Sequence, residues 1–228
     1  MSDETLVAEE LLLLLLDDES GKLRTGGFAD AGTAVGGALL VELSLRGAIE
    51  LTDKERFRSR RVVPTADRPE LPPLLADALA DIEEQERSAS SLVSRLGKHR
   101  KDAVLDRLVE KGMVRRERDR VLGLFPRTRW PAEDERHEAE VRRRIDQALR
   151  AGGTADERTA ALIALLSALD VVSSVVSLDE IGGRELKRRA KAIAEGDWAS
   201  KAVHDAVAAV QAAVIAAIAA AGAASASG

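Results

Sequence analysis

The chain has 228 residues, 45% of them hydrophobic and 32% charged, with a formal net charge of -5. This is enough for one large domain with its own core and argues against global disorder. Cys is absent, which excludes disulfides, thiolate metal sites and cysteine nucleophiles, and the 2% aromatic content argues against base stacking on aromatic platforms. The three histidines, His99, His137 and His204, lie far apart with no metal-ligand spacing, so no zinc site and no cofactor are expected; a carboxylate Mg²⁺ site stays open. The opening MSDETLVAEE is acidic where a secretory signal needs positive charge, so the cytoplasm is the expected compartment.

Leu6–Leu16 reads as a first helix, with Glu9 and Glu10 near its positive end. Asp30–Gly47 follows as a helix buried on most sides. Val35, Leu39, Leu40 and Leu43 recur at helical steps, and Gly32, Gly36 and Gly37 allow another backbone to approach closely. Ala48–Leu51 and Arg61–Val63 look extended, within a Pro-rich surface connection ending at Pro73. Leu74–Ser88, Ser90–Leu96 and Lys101–Lys111 read as three helices, the last stopped by Gly112. Met113–Glu117 and Arg120–Phe125 suggest a β-hairpin turning near Arg118-Asp119, with Trp130 packing its base. Helices are expected at Glu133–Arg150, at Ala155–Val172 with Thr154 as cap, and at Leu178–Ala194. Lys201–Ala221 reads as a buried closing helix rather than a membrane span, followed by a flexible tail at 223–228.

Charge is uneven. Residues 95–129 hold twelve Lys or Arg against five Asp or Glu, inside an acidic chain. Such a basic segment steers toward an anion. A helix ending in LVEKGMV before a basic hairpin also has the outline of a winged helix. That alternative would place Arg115, Arg116 and Arg118 on nucleic-acid phosphates. A third reading is a helical scaffold that self-associates through its hairpin. The glycines at 26, 27 and 32 lack the lysine a phosphate loop needs before Thr33. No nucleophile elbow or metalloprotease motif is present, and no catalytic residue is assigned: the chain does not read as an enzyme.

The Leu11–Leu16 run flanked by acids, GALLVELSLRG at Gly37–Gly47, LVEKG at Leu108–Gly112 with its hairpin, ALIALLSALD at Ala161–Asp170 and the Ala/Val-rich last helix occur in this order. Together they resemble the Golgi phosphoprotein 3-like family, in its compact bacterial form, over about residues 5–221. The resemblance implies a mainly α fold: one domain, with apolar central helices surrounded by amphipathic ones and a protruding β-hairpin near 113–125. It implies a non-enzymatic peripheral membrane adaptor, on the inner face of a membrane, that binds an anionic headgroup such as phosphatidylinositol 4-phosphate. Protein clients and self-association through the hairpin are implied as further partners.

The headgroup site transfers position by position. Two family arginines fall on Lys98 and Lys101, a third on Gly36, and a pocket tryptophan on Gly27 or Phe28. The resemblance therefore implies Lys98, Lys101 and Phe28 as headgroup-binding residues. The basic character of Lys98, Arg100 and Lys101 near an expected helix start suits the same chemistry.

Overall fold

The structure, a computed structural model, describes residues 4–17, 20–23, 31–52, 60–121, 125–151, 155–176, 178, 180–196, 198 and 200–226. The elements run α1 (Val7–Leu15), α2 (Ala31–Leu45), β1 (Ile49–Leu51), β2 (Val62–Pro64), α3 (Pro73–Glu83) and α4 (Ala89–Glu110). After them come β3 (Glu117–Val121), β4 (Phe125–Arg129), α5 (Arg136–Ala151), α6 (Glu157–Ala168), α7 (Val172–Val175), α8 (Gly183–Ala194) and α9 (Lys201–Ala226). The runs too apolar to face water become the inner helices: every residue of α1 is buried, and so are most of α2 and α6. Amphipathic α3, α5 and α8 bury one face each. One continuous apolar cluster runs from Leu6 to Val214. The chain is mainly helical, as expected, with a hairpin.

α2 is the axis of the fold, touching α1, α3, α4, α6 and α9. Its closest partner is α4. A Cβ at Gly36 would overlap the Val93 carbonyl, and one at Gly97 would overlap the Gly32 carbonyl. The two helices therefore pass backbone to backbone, as Gly32 and Gly36 suggested. Gly37 instead faces side chains, Val214 and Val210 of α9 and Leu165 of α6.

Four boundaries differ from the sequence reading. α4 is one helix of 22 residues rather than two, because Gly97 is spent on the crossing and does not break the chain. The hairpin is present but sits later: Glu117 pairs with Arg129 and Val121 with Phe125, so its turn falls at 122–124, outside the described residues, instead of at Arg118-Asp119. Asp156, not Thr154, caps α6; its carboxylate accepts the Thr159 N–H at 2.9 Å. α9 continues through the expected tail to Ala226. The two short extended pieces do pair, antiparallel, as β1 and β2.

Among the described residues four glutamates are buried, and three of them, Glu9, Glu10 and Glu42, surround α1. Burying a charge is costly unless it is paired. Glu9 accepts the Leu6 N–H at 2.7 Å, and meets Arg107 and Lys111 at 3.1 Å each. Glu42 accepts the Val7 N–H at 2.7 Å and binds Arg46 at 2.8 Å and Arg158 at 3.2 Å. Glu10 meets Arg144 at 2.7 Å and Arg158 at 3.3 Å. Burial alone would depress the Arg158 pKa, but Glu10 and Glu42 outweigh it and hold the guanidinium above its ordinary value. The network ties α1 to α2, α4, α5 and α6 through ions instead of apolar contact alone.

Candidate functional site

Where α2 begins, its crossing with α4 leaves a groove of about 400 Å³ lined by Ala31, Gly32, Thr33, Ser94, Gly97, Lys98 and Lys101. One wall is the first turn of α2, the positive end of that helix's dipole, which favours an anion. The other is α4, where Ser94, Lys98 and Lys101 stand at helical spacings on one side. The absence of side chains at Gly32 and Gly97 brings the two walls together.

The lysines differ from the other cations of residues 95–129. Lys98 is exposed, and among the described residues no carboxylate is within ion-pair distance of it. Lys101 is partly buried and has a 3.7 Å contact with the exposed Asp102 carboxylate. Most of the remaining cations are neutralised. Arg95 meets Asp81 at 3.0 Å and Glu84 at 3.2 Å; Arg107 and Lys111 turn inward to Glu9. Arg115 and Arg129 share Glu117, and Arg116 pairs with Asp106. A nucleic-acid reading loses much of its basic surface to these pairs.

Arg100, grouped with the two lysines in the sequence reading, points the other way. It is buried, bonding the Asp77 carbonyl and the Asp81 carboxylate at 2.5 Å each. Partial burial would raise the Asp81 pKa, but hydrogen bonds from Arg100 and Arg95 outweigh it and hold the carboxyl below its ordinary value. The lysines also do not lie at a helix start. They sit in the middle of α4, and the helix end beside them belongs to α2.

Position 36, where the resemblance implies an arginine, is closed by the Val93 carbonyl and admits no side chain. Phe28 and Gly27 lie outside the described residues. Trp130 packs partly buried against the core, as expected for a residue at the hairpin base. The groove residues that sequence reasoning missed are Ala31, Thr33, Ser94 and Gly97. Gly32 and Gly36, four apart on α2, were the available signal for a crossing, but nothing named α4 as the partner.

A second groove, of about 530 Å³, is lined by Glu4, Arg46, Glu70, Leu71, Pro72, Pro73 and Arg107. Its two arginines are already held, Arg46 by Glu4 and Glu42, Arg107 by Glu9. It offers an anion little free charge. Among the described residues no group of three or more His, Asp or Glu could hold a metal ion.

The model of the Golgi phosphoprotein 3 (GPP34) family matches residues 7–210. The chain belongs to that family. This is a family of non-enzymatic adaptors, and the match spans every helix that builds the groove. No curated protein matches the chain.

Proposed function

We propose that this Golgi phosphoprotein 3 family member is a peripheral membrane adaptor that takes anionic phospholipid headgroups in the α2–α4 groove. The observation that carries the reading is the meeting of Lys98 and Lys101 with the first turn of α2 around one open groove. Two ammonium groups and a helix N-terminus suit a phosphate.

The same residues bear on selectivity. Lysine is a point charge without the fork that recognises phosphate bidentately. A third cation has no room at position 36. The groove therefore fits one phosphate of an anionic phospholipid more readily than the full pattern of an inositol phosphate. Phe28 remains the proposed apolar contact beside it. A protein client would use another face, and attachment would be to the inner face of a membrane.

Sedimentation with vesicles of phosphatidylglycerol and phosphatidylcholine tests this. A basic residue near an anionic surface is worth about 1 kcal/mol, so Lys98→Glu with Lys101→Glu is expected to weaken binding roughly tenfold or more at low salt. The control is Arg136→Glu with Arg143→Glu on α5, a helix packed on α1, α6 and α8. It is expected to have a much smaller effect. Equal losses in the two variants would mean that general charge, not the groove, drives attachment.

A further inference from the structure

We infer that the carboxyl-terminal part of α9 forms a second membrane contact, entering the apolar layer beneath the headgroups at the same end of the molecule as the lysine groove. This rests on the groove reading above, and it arises from a feature that reading does not use.

α9 was expected to close the core as a buried helix. Only its first part does so. Val203, Val207, Val210 and Val214 are buried, and Gln211 donates from Nε2 to the Ala164 carbonyl at 2.9 Å. Beyond Val214 burial falls off, with Ile218 still packed partly buried against the core. Ile215 is 54% exposed, the one large apolar side chain so exposed among the described residues. Ala219, Ala220 and Ala221 are exposed in succession, as are Ala223 and Ala224, while Ala217, Ile218 and Gly222 keep one side partly covered. No charged residue occurs after Asp205. By length and composition Lys201–Ala224 is apolar enough to cross a membrane, yet only 28% of its most apolar window is buried.

The direction of α9 follows from its neighbours. Ala206 and Val210 lie by Leu40, while Val214 lies by Gly37. α9 therefore runs antiparallel to α2, and its end travels toward Ala31, the residue that opens the groove. From Gly37 to Ala31 is about 9 Å of helix, and from Val214 to Ala226 about 18 Å, so α9 overshoots the α2 start. An uncharged apolar rod thus projects past a notch lined with lysines.

Three occupants could cover such a rod, and the geometry favours lipid. A second copy of the chain would cover one stripe, whereas lipid covers the whole exposed width of a helix segment without charged residues. A full span would pull α9 out of the domain, in which Val203, Val207, Val210 and Val214 are buried. A shallow insertion leaves those contacts in place. It also supplies the second signal that a weak headgroup contact needs for stable attachment.

The chain has no native Cys, so a single introduced one reports cleanly. Full-length Ala220→Cys carries an environment-sensitive fluorophore, as does Glu140→Cys on the exposed face of α5. Vesicles of phosphatidylglycerol and phosphatidylcholine, with and without brominated acyl chains, are added. The expected result is a blue shift and bromine quenching at position 220 and neither at 140. Ile215→Asp with Ala219→Asp, both at exposed positions, is expected to weaken vesicle binding several-fold while leaving the thermal unfolding temperature unchanged. Vesicle binding with a silent probe at 220 would overturn this inference and leave the groove standing. A shift at 220 that survives Lys98→Glu with Lys101→Glu undiminished would support α9 and count against the groove. A blue shift that grows with protein concentration in the absence of vesicles would assign the rod to a second copy and overturn the proposal.

Discussion

Gly97→Ala is expected to be among the most damaging single substitutions in the protein, although alanine is the best helix former and glycine nearly the worst. In an unpacked helix the change would stabilise by about 1 kcal/mol. Here the new methyl would overlap the Gly32 carbonyl, which is backbone and cannot rotate aside. The helices must separate, opening the packing around Val93, Leu96 and Leu39, all of which are buried. Overpacking of this kind costs roughly 1–3 kcal/mol and sometimes more. A net loss of about 2 kcal/mol would lower the unfolding temperature by roughly 4–8 °C for a chain of this size. Vesicle binding should fall as well, since the same contact shapes the groove floor. Gly182→Ala is the control: nothing lies within 4 Å of its added Cβ and its φ is -64°. Calorimetry that finds Gly97→Ala as stable as Gly182→Ala would show that the helices have room to spare.

The second large effect is expected at Glu42. Glu42→Ala leaves the Val7 N–H without its acceptor and Arg158 without one of its two carboxylates. Breaking a buried pair by removing one partner typically costs about 3–5 kcal/mol. Arg46 and Arg158 retain some solvent access, which places the loss near the lower figure. Denaturant unfolding should show it as a lower midpoint with little change in slope. Glu42→Gln, which keeps an acceptor but no charge, is expected to lose less. If both variants unfold like the parent chain, α1 is held by apolar burial alone and the ion network is incidental.

These two sites also show what the sequence makes legible. The apolar runs at Leu11–Leu16 and Leu39–Leu43 exceed what a surface helix shows, so inner helices could be read directly. Glycines four apart on α2 announced a close approach, since only glycine permits backbones to touch. The partner was not readable, because Gly97 sits among charged residues and resembles a helix break. Glu9, Glu10 and Glu42 look like surface residues in the chain; only the fold brings Arg107, Lys111, Arg144 and Arg158 to them across long sequence separations.

The site was half legible for the same reason. Lys98 and Lys101, three apart, had to share a side of a helix. Arg100 reads as one basic group with them as long as residues 97–100 separate two helices; in the continuous α4 it turns inward onto Asp81. Which helix end faces the lysines could not be read, because α2 and α4 are far apart in the chain. The hairpin turn was displaced because Arg118-Asp119 looked polar enough to turn, while in the structure both residues pair within the ladder, Arg118 with Thr128 and Asp119 with Arg127. In α9 the alanines gave no outward sign of where burial stops, since alanine suits both a core and a lipid-facing helix.

The proposed function turns on one placement: phosphate in the groove between α2 and α4. Its most direct test is amide NMR of the isotopically labelled chain during titration with a short-chain phosphatidylglycerol below its micelle concentration. The largest shifts are expected at the amides of Gly32 and Thr33 and along Ser94–Lys101, lost in Lys98→Glu with Lys101→Glu. Shifts centred on the hairpin at 117–129 or around Arg46 and Arg107, with Gly32 and Thr33 unmoved, would contradict it.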